Sequence, residues 1–168
     1  MKLALFAAVA LLCAPVWRAH AQASAYVDLT AAKFTGSAGS NYLYGPTFGV
    51  SGPVAGSERI VLSFDARGQV LGTSQKYDSI AVGPRVRVRI KGLDPYGEFL
   101  VGFARYNDGA GNATTDAEIN FNAGIERAIK GPISWRIFEY GYKQYYALGG
   151  QFNPKSFSTG IVYTIGAR

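Results

Sequence analysis

The stretch Ile80-Ala81-Val82-Gly83-Pro84-Arg85-Val86-Arg87-Val88-Arg89-Ile90 decides how the chain folds. Its even positions carry Ile80, Val82, Val86, Val88 and Ile90, while Arg85, Arg87 and Arg89 occupy odd ones. Successive side chains point to opposite faces in a β-strand, so a period of two separates the two sets completely. A helix would scatter both around its axis. The segment is therefore a strand with one apolar face and one guanidinium face.

The same alternation extends in both directions. In Ile60 to Val70, Ile60, Leu62, Phe64 and Ala66 oppose Ser63, Asp65, Arg67 and Gln69. In Ala117 to Arg127, Ile119, Phe121, Ala123 and Ile125 oppose Glu118, Asn120, Asn122 and Glu126. Near the end, Phe157, Thr159, Ile161, Tyr163 and Ile165 oppose Ser156, Ser158, Gly160 and Thr164. Tyr26 to Phe34, Tyr42 to Val50, Tyr96 to Tyr106 and Trp135 to Tyr145 follow the pattern more faintly. No segment holds a 3.6-residue period, so the fold class is all-β. Tight turns are expected at Gly52-Pro53, Gly92-Leu93-Asp94-Pro95 and Gly131-Pro132, at intervals of about 40 residues. Longer polar connections are expected at Gly36–Asn41, Gly72–Asp78, Asn107–Asp116 and Leu148–Pro154. That rhythm gives four hairpins and eight strands.

Composition narrows the classes. Charged residues make 17% of the 168-residue chain, against about 25% in soluble domains. Gly 21, Tyr 11 and Phe 10 accompany that deficit. No apolar run reaches the roughly 18 residues that a membrane-crossing helix needs. At the N-terminus, Lys2 precedes the apolar run Leu3 to Leu12, and Ala19-His20-Ala21 and Ala21-Gln22-Ala23 offer small-x-small cleavage sites. Residues 1–21 are thus expected to be a signal peptide, cut after 21 or 23. Cleavage removes the single Cys13, the single His20, and also Lys2 and Arg18, lowering the formal charge of +6 by two. Residues 22–168 then hold no imidazole and no thiol, which excludes Ser-His and Cys-His nucleophilic sites and His-ligated zinc. Neither a metal site nor a cofactor site is expected.

Eight antiparallel strands close in one of two senses. A soluble lipocalin-like barrel keeps its apolar face inside around an apolar ligand, whereas a membrane barrel turns that face to lipid. The arginine row favours the second. A lipid-facing Arg near the bilayer midplane costs roughly 2–4 kcal/mol, and three would multiply that. Inward, Arg67, Arg85, Arg87 and Arg89 can pair with Asp65, Glu98, Glu118, Glu126 and Glu139 in a lumen network that plugs the barrel. Tyr42, Tyr44, Tyr96, Tyr106, Trp135, Tyr145 and Tyr146 fall near strand ends and are expected to form aromatic girdles at the two interfaces. The expected architecture is an eight-stranded antiparallel up-and-down transmembrane β-barrel over residues 22–168. Alternating strand arginines do not make the exposed cluster that nucleic-acid binding requires.

Several segments also carry a family resemblance. Tyr26-Val27-Asp28, Phe64-Asp65-Ala66-Arg67-Gly68, Pro95-Tyr96-Gly97-Glu98, Trp135-Arg136-Ile137-Phe138-Glu139-Tyr140 and Ser158-Thr159-Gly160-Ile161-Val162-Tyr163 resemble the small bacterial outer-membrane β-barrel family of OmpA/OmpX type. The resemblance implies periplasmic termini, short turns inside, four longer loops outside, and insertion by the barrel assembly machinery into outer-membrane lipid. Ile165-Gly166-Ala167-Arg168 departs from the aromatic ending common in such barrels. Barrels of this kind that modify lipid A acyl chains rely on a His, which residues 22–168 lack. The expectation is a non-enzymatic barrel with a structural or surface-interaction role.

Overall fold

The computed structural model describes residues 23–36, 39–57, 59–147 and 150–166. The signal-peptide reading, with Cys13 and His20, falls on residues outside that set, as do Ala167 and Arg168. The described chain is almost entirely extended. Its strands are β1 (Ser24–Gly36), β2 (Gly39–Gly56), β3 (Ile60–Gly72), β4 (Lys76–Val88), β5 (Leu93–Asn107), β6 (Ala113–Lys130), β7 (Ile133–Ala147), β8 (Gly150–Phe152) and β9 (Lys155–Thr164). Strands β1 to β7 pair antiparallel with their chain neighbours. Strand β9 pairs with β7 on one side and β1 on the other, closing an eight-membered ring. The three-residue β8 only extends the β7 hairpin, through Tyr145↔Phe152. Closure leaves no long edge with unpaired amides, the condition for extended chain to lie in lipid.

The reversals differ in part from expectation. Gly52-Pro53 lies inside β2, beside an irregularity between Pro53 and Ala55; a proline, lacking an N–H, is tolerated in a strand at such a bulge. The chain turns later, where the Ser57 N–H donates to the Ile60 carbonyl at 2.7 Å. The next turn is the pair Lys91-Gly92, with φ of 43° and 88°, not Gly92 to Pro95. Two reciprocal 2.9 Å bonds between Ile90 and Leu93 bracket it, and its two positive φ angles suit the twist of a hairpin. At the other end the expected long loops are short, because the strands extend into them. Strands β2 and β6 are each 18 residues long. At a rise of about 3.3 Å per residue, such strands outreach an apolar band of about 25 Å even when tilted. In the connection after β5, Asp108 accepts from the Ala110 N–H and the Asn112 side chain, both at 2.8 Å, and the Asn112 bond especially holds its carboxyl below the usual range.

Burial follows the pleat, and with it the two faces separate. On β3, Val61, Ser63, Asp65, Arg67, Gln69 and Leu71 point inward, while Ile60, Leu62, Phe64 and Val70 are exposed. The outer wall continues through Val27, Leu29, Phe48, Val50, Ile80, Val82, Phe99, Val101, Phe103, Phe121, Phe157 and Ile161, all of them exposed. An apolar wall that encircles the barrel far exceeds the few hundred Å² of apolar patch usual on soluble monomers. The lipocalin-like alternative needs the opposite arrangement, and the ionic lumen overturns it.

The lumen charge layer as candidate functional site

The lumen is built in three layers between the end that carries the chain termini and the opposite, loop end. Near the termini, β1 supplies Tyr26 and Asp28, β3 supplies Asp65 and Arg67, and β4 supplies Arg85. Tyr96 and Glu98 come from β5, Glu126 from β6, and Arg136 and Glu139 from β7. Arg136 is fully buried. Its Nη1 meets Asp28 Oδ2 at 2.6 Å and Glu139 Oε2 at 3.4 Å, and its Nη2 meets Glu126 Oε1 at 2.9 Å. Arg67 grips Glu139 with both terminal nitrogens, at 2.7 and 2.8 Å, and reaches Glu98 at 2.5 Å. Arg85 donates to Glu126 Oε1 at 2.7 Å. Each arginine thus faces a carboxylate in hydrogen-bonding geometry, the condition under which buried ions are tolerated, while Asp65 stands 3.8 Å from Arg85.

Strict alternation would put Arg136 and Glu139 on opposite faces. Register shifts between Arg136 and Glu139 against β9, and between Ile125 and Glu126 against β7, mark a bulge that lets both point inward. The freed Arg136 carbonyl accepts from the Thr159 hydroxyl at 2.9 Å.

Two tyrosines frame the arginines. Tyr26 lies opposite Gly49 on β2, and Tyr96 lies opposite Gly124 on β6. The Tyr26 hydroxyl donates to Asp65 at 2.8 Å and that of Tyr96 to Glu139 at 2.5 Å. Arg85 stacks on Tyr96 at 3.8 Å from the ring centroid and Arg136 on Tyr26 at 4.1 Å. The rings need glycine beneath them. A Cβ on Gly124 would stand 2.7 Å from the Tyr96 ring and 2.8 Å from the Phe138 carbonyl oxygen. Gly124→Val is therefore expected to lower unfolding free energy by about 1–3 kcal/mol, read as a lower midpoint in urea.

Above this layer Thr30, Thr47 and Ser158 form a hydroxyl chain at 2.7 and 2.8 Å. Lys143 joins Gln69 and Tyr77, and Tyr77 donates to Glu118. At the loop end Ala32, Phe34, Leu43, Leu71, Tyr77, Ala104 and Tyr145 form an apolar cluster inside the barrel, with Tyr106 packed against it. The lumen thus runs from ion pairs near the termini, through hydroxyls and Lys143, to apolar packing at the loop end.

The structure superposes on Neisserial surface protein A with a TM-score of 0.58 at 15% identity, over 85% of this chain and 97% of that one. Ail, the attachment invasion locus protein of Yersinia pestis, in complex with the heparin analogue sucrose octasulfate, gives 0.55 at 13%, over 86% and 99%. The outer membrane enzyme PagL gives 0.51 at 16%, over 82% and 99%. The chain has the fold of the small outer-membrane β-barrels. No protein-family model and no curated protein sequence matches it. At these identities the likeness carries the fold and no activity.

Within this outer-membrane-type barrel, Asp65, Arg67, Arg85, Glu98, Glu126 and Glu139 come together in one layer, and Glu118 sits in the layer above. Arg87 is partly buried at the layer's edge, 3.7 Å from Glu126. Arg89 does not join. It lies past the end of β4, exposed, its N–H bonded to the Arg59 carbonyl, because the row leaves the lumen where the strand stops. Among the aromatics, Tyr42, Tyr44 and Trp135 face outward. Tyr96 and Tyr145 are corrected to the lumen, since their strand parity turns them inward, and Tyr106 is half-buried against Phe34. The side chain of Tyr146 lies outside the described residues. Sequence reading missed Asp28, Arg136 and Lys143 as network members. Asp28 and Lys143 sit on strands whose alternation is faint, and Arg136 is hidden by the bulge.

Proposed function

We propose that the protein is an exported, non-enzymatic outer-membrane barrel, its termini periplasmic, with a structural role or one exercised at its loop-end surface. One observation carries this reading: the apolar wall faces out and the ion-paired lumen is closed above by packed aromatics. The absence of His and Cys from residues 22–168 supports the non-enzymatic part. Export by the segment 1–21 and insertion by the assembly machinery follow from the sequence and the family resemblance. A surface-contact role also accords with the fold neighbour whose name is attachment invasion locus protein.

Membrane fractionation with boiled and unboiled gel mobility tests the reading. The protein is expected in the membrane fraction, with a faster-running unboiled form. Recovery in the soluble fraction without a heat-dependent shift sinks it. Planar-bilayer recordings are expected to show no conductance steps, since an eight-stranded lumen is just wide enough for side chains to fill. Reproducible steps would replace the plug with a pore.

A further inference from the structure

One cross-strand pair on the outer wall breaks the charge logic of the rest. At the loop end, Lys33 of β1 stands directly opposite Lys155 of β9, and both are exposed and point outward. Like charges directly opposed destabilise a sheet. At the same end of the barrel, outward Asp78 and Arg105 are opposed on β4 and β5, a complementary pair. Among the described residues no carboxylate lies within ion-pair distance of either lysine. The row continues into aromatic residues on both sides, Tyr42 paired with Lys33 and Tyr142 paired with Lys155. The Lys33 ammonium lies 5.9 Å from the Tyr42 ring centroid. Ammonium groups between interfacial tyrosines mark headgroup level on a membrane barrel.

The wall beneath that pair is hollowed. Ala31 and Phe157 form the next outward pair down, followed by Leu29 and Thr159. With Tyr44 and Phe138 they line a groove of about 490 Å³, walled almost wholly by carbon. Its floor is low because Ala31 and Thr159 are small while Phe157, Tyr44 and Phe138 stand around them. A groove on a lipid-facing wall takes a chain of methylenes, and two ammonium groups at its head call for about two negative charges. A phosphate monoester carries about −1.5 to −2 near neutral pH, whereas a phosphodiester carries one.

We infer that this face holds one lipid with a phosphate-monoester headgroup, the phosphate between Lys33 and Lys155 and an acyl chain in the groove below. The inference rests on the membrane-barrel reading. Folded protein in nonionic detergent, titrated with phosphatidic acid and followed by native mass spectrometry, is expected to form a one-to-one complex. Lys33→Gln combined with Lys155→Gln weakens it about twenty-fivefold, from about a fivefold loss per lysine. Ala31→Trp, which fills the groove and leaves both lysines, weakens it too. Phosphatidylglycerol binds less tightly than phosphatidic acid. Unchanged affinity in the double variant or in Ala31→Trp overturns the site, as does equal affinity for the diester lipid. If the double variant does not fold, Lys155→Gln alone carries the test at about fivefold. Heat-dependent mobility of each preparation is read first: its loss in the unsubstituted protein overturns the barrel reading, and its retention without lipid selectivity overturns the site only.

Discussion

Arg136→Met is expected to lower the unfolding free energy of the barrel by about 3–5 kcal/mol, one of the two largest effects of a single substitution in this molecule. The side chain is fully buried and serves three carboxylates, Asp28, Glu126 and Glu139. Glu126 keeps Arg85 and Glu139 keeps Arg67 after the change, but Asp28 loses its one ion-pair partner among the described residues. A buried carboxylate stranded in this way costs far more than the pair contributed, because desolvation is no longer offset. Asp28→Asn placed on top should therefore restore part of the loss, a non-additivity of about 0.5–3 kcal/mol in a double-mutant cycle. Urea unfolding in lipid vesicles, read by tryptophan fluorescence, measures both. Arg89→Ala is the control, expected within about 0.5 kcal/mol of the unsubstituted protein, since Arg89 is exposed and outside the lumen. An Arg136→Met protein as stable as that control would show the network to be idle.

The second large effect belongs to the outer wall. Val101 stands at the middle of β5 with Val82 and Ile119 beside it, and is 46% exposed. In lipid, Val101→Arg is expected to cost about 2–4 kcal/mol, whereas on a water-facing sheet it would stay within about 0.5. Ile129, close to the turn end of β6, is the comparison: Ile129→Arg should cost about 0–1 kcal/mol. The gradient between the two positions, measured by the same unfolding assay, reports depth in a bilayer. Equal and small effects at both sites would remove the membrane from the account.

The fold was legible because alternation survives in the strands with the strongest patterning. Arg85, Arg67 and Asp65 could be assigned to the lumen from parity alone, since only one face of each strand could meet lipid. Three things escaped. The bulge at Arg136 to Glu139 changes parity within four residues, and no composition signal announces it. The girdle assignments of Tyr96 and Tyr145 rested on position near strand ends, but a tyrosine's height on the wall says nothing about which side it faces. The turn signals at Gly52-Pro53 and Gly92 to Pro95 were read from residue type, and the strands absorbed both prolines instead.

The ring also constrains the order of assembly. Asp28 and Arg136 are 108 residues apart, and Thr30 and Ser158 are 128 apart, so these contacts form only when β9 meets β1. Pairings of such sequence separation are slow, because the chain must be ordered before they can contribute. Until the seam zips, the half-made sheet would present Arg67, Arg85 and Glu98 to hydrocarbon with their partners incomplete. Curling and insertion must therefore advance together, and the final strand acts as a latch whose fastening converts a sheet that lipid rejects into one that lipid accepts.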